Sequence, residues 1–353
     1  MKNVLILGSG MVAGPIIEYL LKNSFLVTVA GIDEKRALQL LNGHKNGKFV
    51  YCEATDEVGL NNLITNNDLA VSLLPYKFHT IVAKICLKHD KHMVTTSYVK
   101  PEMQDLDYEA RQKGLLFLNE TGLDPGIDHM SAMRIIDHVH NSGGEIVEFY
   151  SITGALPDPA TVDNPLGYKF SWSPKGVVLA SQNDATYLHK GKKVYINPID
   201  LFKDRVELEF PTIGKMDVYP NRNSIDYLDI YKIPEAQTIY RGTFRLKGWC
   251  ETLDAIKELN LIDDTVQDYE NLTYRDFVKK QADIKSNDLE EAIAEKLNIK
   301  KDSTPIKALT WLGLLDNTPM NRKQDSAFEI TSDVMIDKMW MNPTDRDMVA
   351  MQH

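Results

Sequence analysis

The amino-acid sequence predicts an α/β protein in which a doubly wound parallel sheet is followed by a second, α+β domain. Three observations support this fold class. Short β-branched and Leu-rich runs alternate with amphipathic helical segments from residue 3 to about residue 118. A glycine-rich turn directly follows the first of these runs. After Glu120 the alternation gives way to strand-like runs separated by stretches rich in proline and glycine.

The elements of the first domain follow from composition and periodicity. The segments with the composition of buried strands are 4–7, 26–30, 48–51, 69–73, 92–95 and 115–118. Between them, apolar residues recur at helical spacing after Met11, after Glu34 and over 58–64, 78–88 and 103–113. Six strands with intervening helices suffice for one complete dinucleotide-binding domain, which we place at residues 1–129.

The remainder, residues 130–353, is predicted to form the second domain. Its strand-like runs are 145–152, 206–210 and 239–246. A polar helical lobe is expected near 269–315, with 289–297 as its best amphipathic segment, and its charged residues predict a peripheral, solvated position. Residues 347–353 alternate like the start of a strand that is not followed by a turn, so we expect a truncated chain.

Composition excludes several classes of protein. With 353 residues, 43% of them hydrophobic, the chain can bury a sizeable core, and disordered or collagen-like chains are excluded. Its 40 Lys and Arg against 50 Asp and Glu give a net charge of −10, which disfavours nucleic acid and anionic membranes as partners. The three cysteines have no metal-ligand spacing, so we expect no metal and a reducing cytoplasmic location.

The glycine-rich turn has the spacing of a Rossmann dinucleotide fingerprint. It runs from Gly8 through Ser9, Gly10, Met11 and Val12 to Ala13. In this pattern Gly8 permits the tight turn, Gly10 allows backbone to approach a pyrophosphate, and Ala13 lets the following helix pack closely on the strand. The sequence therefore predicts nucleotide binding, because the turn lies between a strand and a helix as the motif requires.

The choice between NAD and NADP depends on the end of the second strand. Asp33 is placed to accept hydrogen bonds from an adenosine ribose, which favours NAD. Lys35 and Arg36 follow at once and suit a 2′-phosphate, and Asp33 is equally suited to capping a helix. We expect NAD or NADP, with NAD favoured.

Polar residues follow strands four, five and six, whose carboxyl ends are the ligand-binding edge of such a sheet. The three segments are 74–79, 95–100 and 119–129. The last one brings Asp124, Asp128 and His129 together with two glycines, which suits a site better than a core. Alternatives remain for each residue: Asp124 could set a turn, Asp128 could cap a helix, His129 could be structural, and Tyr98 could be a packing residue.

Several motifs in matching order resemble the saccharopine reductase family, the L-glutamate-forming saccharopine dehydrogenases. They are Gly8-Ser-Gly10 with Val12-Ala13, and the segments 95–99, 119–129, 163–173, 219–222, 234–238 and 241–245. The resemblance implies a nicotinamide-dependent enzyme of lysine metabolism that interconverts saccharopine and water with L-glutamate and 2-aminoadipate 6-semialdehyde. It also implies a homodimer, and a second domain for substrate and dimerisation from which the C-terminus returns to the first.

Site residues follow from the same resemblance. The positions that match its saccharopine-binding residues are Ser97, Tyr98, Asp124, Arg222, Thr243, Phe244 and Arg245. Those that match its cofactor-contacting residues are Gly8, Ser9, Gly10, Met11, Val12, Leu73, Leu74, Thr96, Leu123, Asp124 and Pro125. Two departures are noted: Thr153-Gly154-Ala155 replaces an expected Cys-Gly-Gly, and Gly31-Ile32 replaces a usual Cys-Arg, which weakens the case for NADP.

The chemistry of such a reaction selects candidates for two tasks. A base and acid must act at the substrate nitrogen, and the candidates are Asp124, Asp128, Tyr98 and His129. Asp124, with Tyr98 or water as a relay, is the favoured choice. Three substrate carboxylates need cationic clamps on an acidic protein, for which Arg222 and Arg245 are the candidates, with Lys169 as a third. The alternatives are an opine- or polyamine-type imine reductase of the carboxynorspermidine or homospermidine class, and a non-catalytic nucleotide-binding regulator.

Overall fold

The computed structural model describes residues 2–342 and 344–353. The chain forms two compact units, Met1–Ser131 and Ala132–His353. Across the described residues, every helix is too short or too polar to cross a lipid bilayer.

The first unit is a six-stranded parallel sheet in the order β3-β2-β1-β4-β5-β6, which confirms the predicted Rossmann topology. Its strands are β1 (Asn3–Leu7), β2 (Leu26–Gly31), β3 (Gly47–Tyr51), β4 (Leu69–Ser72), β5 (His92–Thr95) and β6 (Phe117–Leu118). Its helices are α1 (Ala13–Lys22), α2 (Glu34–Leu41), α3 (Glu57–Thr65), α4 (His79–Lys88), α5 (Pro101–Gln104) and α6 (Asp107–Gln112). The single helix predicted over 103–113 is therefore two short helices.

Both faces of this sheet are covered because successive strand residues point to opposite sides. Leu5 and Leu7 of β1 pack in one apolar cluster with residues of α3 and α4. Val4 and Ile6 of the same strand pack in another cluster with residues of α1 and α2. The carboxyl ends of β1, β4, β5 and β6 are thereby held at one edge of a rigid sheet.

The second unit is built on a mixed sheet whose main strand order is β10-β11-β13-β7-β16. Strand β8 also pairs with β13, and both β9 and β12 pair with β8. Helix α7 (Ile127–Asn141) leads into it. Its strands are β7 (Glu148–Pro157), β8 (Ala185–His189), β9 (Lys192–Ile196), β10 (Val206–Phe210), β11 (Gly214–Pro220), β12 (Arg222–Asn223), β13 (Thr238–Arg245), β14 (Val266–Asp268), β15 (Gln324–Ser326) and β16 (Asp347–Gln352). Its helices are α8 (Pro174–Ala180), α9 (Tyr227–Ile230), α10 (Trp249–Glu258), α11 (Tyr274–Gln281), α12 (Leu289–Leu297), α13 (Thr304–Leu312) and α14 (Ala327–Lys338).

Strand β7 extends beyond its predicted end. It runs through Thr153, Gly154 and Ala155 to Pro157, a stretch whose glycine and proline had predicted a loop. A Cβ added to Gly154 would lie 2.8 Å from the backbone oxygen of Phe244, on the neighbouring strand β13. Gly154 therefore allows two strands to approach closely, and does not form a turn.

The predicted helical lobe packs against the core through one face. Helices α11, α12 and α13 occupy the expected segment, but Phe277, Leu289 and Ile293 on them are fully buried. They belong to the same apolar cluster as Phe244 of the sheet. The charged residues that had suggested a solvated lobe cover only the outer face of helices whose other face is core.

Candidate active site

The glycine turn after β1 has the geometry that a pyrophosphate requires. Gly8 adopts a φ of +105°, which disfavours any side chain, and a Cβ there would lie 3.2 Å from the carbonyl oxygen of Leu73. A Cβ on Gly10 would meet no atom within 4 Å, so space is open above that residue. Within the described chain, no residue accepts a hydrogen bond from the backbone N–H groups of Gly10, Met11 and Val12. These donors at the start of α1 fit the phosphates of a dinucleotide.

Asp33 has the helix-capping role that the sequence left open. Its Oδ1 accepts a hydrogen bond from the backbone N–H of Arg36 at 2.9 Å, at the start of α2. Its backbone oxygen also accepts from the Ser9 hydroxyl at 3.3 Å, so β2 and the glycine turn are tied together. Lys35 and Arg36 beside it are exposed. Two exposed cations therefore follow the end of β2.

Tyr98 and Asp124 form a direct acid–phenol pair. Tyr98 follows β5, Asp124 follows β6, and the Tyr98 hydroxyl donates to Asp124 Oδ1 at 2.5 Å. Both side chains are half-buried. Because the carboxyl ends of neighbouring parallel strands meet at one edge, two segments 26 positions apart deliver a proton donor and acceptor to one place.

The loop that carries Asp124 is held by several hydrogen bonds. Gly122 donates its backbone N–H to Pro125 O at 2.9 Å, and Asp128 donates its own to Leu123 O at 3.0 Å. A Cβ on Gly122 would lie 3.5 Å from the Thr96 Cβ, so the loop also lies against the segment after β5. These contacts place the predicted cofactor positions Thr96, Leu123 and Pro125 around Asp124.

Asp128 and His129 contact this loop and the segment next to it. The buried Asp128 accepts the Gly126 backbone N–H at 2.7 Å through Oδ1. His129 lies between two carboxylates, with Nε2 at 3.2 Å from Glu120 Oε2 and Nδ1 at 3.6 Å from Asp128 Oδ2. Glu120 in turn accepts the Val99 backbone N–H at 2.9 Å. The network joins the segments after β5 and β6, which favours a supporting role over proton transfer to substrate.

His79, at the start of α4, is a buried residue that the sequence did not single out by itself. Its ring contacts three hydroxyls: Ser72 Oγ at 2.9 Å from Nδ1, Ser97 Oγ at 2.8 Å from Nε2, and Thr95 Oγ1 at 3.2 Å from Nε2. Burial lowers the pKa of His79 to about 4. The only feature of the sequence that points to His79 is its place in segment 74–79, which follows β4 at the ligand-binding edge of the sheet.

We expect this burial to make stability depend on pH. Between pH 6.5 and pH 4.5 the unfolded chain binds a proton at His79 that the folded chain, with its lowered pKa, does not bind. The free energy of unfolding should therefore fall as pH falls, by about 2 kcal/mol from this group. Urea titrations of the wild type and His79→Gln at both pH values measure it, because the glutamine variant lacks this contribution. Equal pH dependence in the two proteins contradicts the prediction.

In the second unit, β13 presents its predicted site residues on opposite faces. Thr243 and Arg245 point to one side, whereas the fully buried Phe244 points to the other and packs edge-to-face with Phe210 at 5.5 Å. The side chain of Phe244 is therefore part of the core, and its place in the site stays a prediction for its backbone. Only its backbone lies between the two polar neighbours.

Arg245 is held in an aromatic enclosure. Its guanidinium carbon lies 5.2 Å from the ring centre of Tyr168, 5.7 Å from Trp249 and 5.8 Å from Tyr219. One terminal nitrogen donates to the Phe244 backbone oxygen at 2.9 Å. Arg245 is only 5% exposed, so its charge is oriented and shielded from water. Arg222, by contrast, is exposed on β12 with a φ of +53°.

Lys169 is not available as a third clamp, and that prediction is wrong. The side chain is 3% exposed, and Nζ lies 2.9 Å from Asp163 Oδ2 and 2.8 Å from Asp345 Oδ2. The hydrogen bond from Lys169 lowers the pKa of Asp345. The lysine therefore ties the segment before β16 to the segment after β7, and its charge is already neutralised.

Thr153, at the position of the expected cysteine, is buried. It is 3% exposed, and among the described residues its hydroxyl has no hydrogen-bond partner. It pairs in register with Thr243 across β7 and β13, so both hydroxyls belong to the polar face that also carries Arg245. No group of three or more His, Cys, Asp or Glu in the described parts of the chain is arranged to hold a metal ion.

A parallel sheet of this strand order, with a glycine turn after β1 and an acid–phenol pair at its carboxyl edge, defines the class of nicotinamide-dependent oxidoreductases. Comparisons narrow the class. Residues 4–118 match the family model of the saccharopine dehydrogenase NADP binding domain, and residues 122–353 match that of the saccharopine dehydrogenase C-terminal domain. The chain belongs to the saccharopine dehydrogenase family, as the sequence motifs predicted.

Individual relatives agree with this assignment. The saccharopine dehydrogenases [NADP(+), L-glutamate-forming] of Schizosaccharomyces pombe and Saccharomyces cerevisiae are each 35% identical over 100% of this chain, covering 81% and 80% of their own length. The bovine mitochondrial alpha-aminoadipic semialdehyde synthase is 36% identical over 99% of this chain and 39% of its own. The structure of apo saccharopine dehydrogenase (L-Glu forming) from S. cerevisiae superimposes with a TM-score of 0.85 at 33% identity, covering 99% of this chain and 80% of that one.

Proposed function

We propose that this chain interconverts saccharopine and water with L-glutamate and 2-aminoadipate 6-semialdehyde, using a nicotinamide cofactor. The observation that carries the proposal is the 2.5 Å hydrogen bond from Tyr98 to Asp124 at the carboxyl edge of the sheet. The reaction needs a proton donor and acceptor at that edge, beside the ring of a bound dinucleotide. The names of the two fungal relatives support the same reaction.

Asp124 and Tyr98 would handle protons at the substrate nitrogen. A nicotinamide dinucleotide held at the glycine turn would supply the hydride acceptor for the carbon next to the secondary amine. Asp124 accepts the proton of that amine, and Tyr98 holds the carboxylate in place by donating to Oδ1. Asp124 then releases that proton to solvent, takes one from the water that adds to the resulting C=N bond, and returns it to the nitrogen of glutamate as the C–N bond breaks and the remaining hydroxyl proton leaves. One proton site thus serves both the oxidation and the hydrolysis.

Arg245 and Arg222 would bind substrate carboxylates. Saccharopine carries three carboxylates, and the chain has a net charge of −10, so local guanidinium groups must hold it against the overall field. The aromatic rings around Arg245 fix its orientation. Thr243 on the same face of β13 adds a hydroxyl. A polycarboxylate fits these residues better than the polyamine of the alternative reaction.

Arg222 gives a direct test of this substrate binding. We expect Arg222→Ala to raise the KM for saccharopine about tenfold, because it removes a charge-assisted hydrogen bond to a carboxylate. Cofactor affinity, measured by fluorescence titration with the reduced nicotinamide, should not change. Arg134→Ala, which removes another exposed arginine, is the matched control. Equal losses of saccharopine and cofactor affinity would argue against a substrate contact.

We infer that the cofactor is NADP, although Asp33 alone had favoured NAD. The capping role of Asp33 weakens the argument for NAD. Lys35 and Arg36 are exposed beside it and suit a 2′-phosphate. The description of the matching domain family and the names of the fungal relatives support the same choice.

Arg36 tests this cofactor choice. We expect Arg36→Ala to lower kcat/KM for NADP+ about tenfold and to leave the value for NAD+ nearly unchanged, because only NADP+ carries the 2′-phosphate. Steady-state rates at fixed saccharopine measure both values. Lys22→Ala, which removes an exposed cation from α1, is the control. A wild type that prefers NAD+, or a variant that loses both activities equally, contradicts the inference.

The function itself is tested by mixing the protein with saccharopine and NADP+ or NAD+ and following the absorbance of the reduced nicotinamide. We expect turnover, with glutamate formed in equal amount to the reduced cofactor. An absence of turnover with both cofactors, together with reduction of a polyamine-derived imine, would favour the alternative enzyme class. Cofactor binding without any turnover would favour the non-catalytic regulator.

A further inference from the structure

The ring of His79 contacts Ser97, a predicted substrate-binding residue, and takes no part in the proposed proton transfer. Its side chain is 5% exposed and stands at the carboxyl edge of the sheet, where β4 and β5 end. Ser72, the last residue of β4, contacts Nδ1 at 2.9 Å. Ser97, two residues after β5, contacts Nε2 at 2.8 Å. The ring therefore bridges two serine hydroxyls through its two different nitrogens.

A neutral imidazole has one N–H and one lone pair, so it fixes the direction of both hydrogen bonds. Burial keeps the ring neutral near pH 7, since it lowers the pKa of His79 to about 4. If Nδ1 accepts, Nε2 must donate, and the reverse. The direction of the hydrogen bond at one serine thus determines the direction of the hydrogen bond at the other.

Ser72 selects one of these two arrangements. Its side chain is fully buried, and Nδ1 of His79 is the only hydrogen-bond partner of its hydroxyl among the described residues. A buried O–H without an acceptor is costly, so the Ser72 hydroxyl donates to Nδ1. The proton of His79 then resides on Nε2. Ser97 Oγ at 2.8 Å is closer to Nε2 than Thr95 Oγ1 at 3.2 Å, so Nε2–H donates to Ser97.

The consequence reaches the substrate side of Ser97. Because Ser97 Oγ accepts from Nε2–H, its own proton must point away from His79. Ser97 is half-buried and directly precedes Tyr98, whose hydroxyl contacts Asp124 at 2.5 Å. A hydroxyl whose proton points away from His79 is suited to donate to a carboxylate oxygen.

We propose that His79 is a positioning residue: through Nε2–H it orients the Ser97 hydroxyl so that its proton is donated to a carboxylate of the substrate. This inference rests on the proposed function, with Ser97 as a predicted saccharopine-binding residue. It assigns a role in substrate affinity and carboxylate specificity to the hydrogen-bonded series Ser72–His79–Ser97. His79 itself contacts neither substrate nor cofactor.

A double-mutant cycle tests the coupling. We expect His79→Phe and Ser97→Ala each to raise the KM for saccharopine about tenfold, with a smaller change in kcat, since each removes the oriented donor. The double variant should be no worse than Ser97→Ala alone, because His79 acts only through Ser97. His79→Gln, which keeps an N–H donor on a side chain of similar reach, should restore part of the affinity. Losses that multiply in the double variant, or an unchanged KM in His79→Phe, overturn the proposal.

A spectroscopic measurement covers the case in which His79→Phe fails to fold. The ¹⁵N shifts of the His79 ring in the wild-type protein distinguish Nε2–H from Nδ1–H without any substitution. We expect Nε2–H, and we expect Ser72→Ala to populate the other tautomer and raise the KM about threefold, which is roughly half of one hydrogen bond to a charged group. Nδ1–H in the wild type overturns the proposal.

The same design separates this inference from the proposed function. Turnover of saccharopine by the wild type is measured first, and its absence counts against the proposed function. The tautomer of His79 is then still decided by the ¹⁵N shifts. With an active wild type, multiplying losses in the cycle count against the role of His79 alone, and the proposed function stands.

Discussion

Asp124→Asn should lower kcat for saccharopine oxidation by about 10²- to 10⁴-fold, the range typical of removing a general acid–base group. The substitution keeps the shape of the side chain and an oxygen that can accept from Tyr98, but an amide cannot take up the amine proton. The hydrogen bond from the Tyr98 hydroxyl to Asp124 Oδ1, at 2.5 Å, holds the carboxylate in place. The rate is measured from reduced nicotinamide absorbance at saturating saccharopine and cofactor.

Two further variants make the result specific. Tyr98→Phe leaves the carboxylate but removes its donor, so we expect a smaller loss, about tenfold. Asp107→Asn alters an exposed carboxylate that pairs with Arg111 at 2.6 Å on α6, and it should leave kcat unchanged. If Asp124→Asn keeps more than a tenth of the wild-type rate, another group carries the proton.

Lys169→Ala should lower the free energy of unfolding by about 3 kcal/mol. The substitution leaves Asp345, whose side chain is 12% exposed, without the cation that neutralises it, and it removes a buried aliphatic chain. We measure the loss from urea unfolding transitions at pH 7. Lys301→Ala breaks a pair with Asp288 in which both side chains are about half exposed, and it should cost less than 1 kcal/mol. Similar losses in the two variants would contradict the special role of burial at Lys169.

The parallel sheet was the most predictable part of the molecule. The central strands β1, β2 and β4 are the clearest case, because strands buried on both faces are almost continuously apolar. The same holds for the glycine turn, whose residue types are imposed by a tight turn and a close backbone approach. The helix near 103–113 was less certain, since it divides into α5 and α6.

The second unit was predictable only in part, because its strands carry mixed signals. Strands β8, β9 and β11 contain charged and polar residues on one face, so they lack the apolar runs that marked the first unit. Phe244 was assigned to the site with its neighbours, although alternation along a strand turns it to the opposite face. Applying the two-residue period to β13 would have separated Phe244 from Thr243 and Arg245.

Contacts between residues far apart in the chain could not be predicted from the sequence. Nothing in the sequence near Lys169 indicates that its partner is Asp345, 176 positions further along the chain. His79 likewise depends on hydroxyls from β4 and from the segment after β5, and a histidine in isolation carries no sign of such partners. Contacts of this kind are set by topology, which periodicity does not encode.

The position of β7 between β13 and β16 has a kinetic consequence. Both neighbours come late in the chain, and the pairing with β16 is accompanied by a contact from Thr161 to Arg346 that spans 185 positions. Such a contact order makes sheet closure slow, because long loops must lose entropy before pairing compensates for it. Until β16 adds, the edge of β7 exposes unpaired backbone groups to other chains. Refolding yield should therefore depend on protein concentration more strongly for the second unit than for the first.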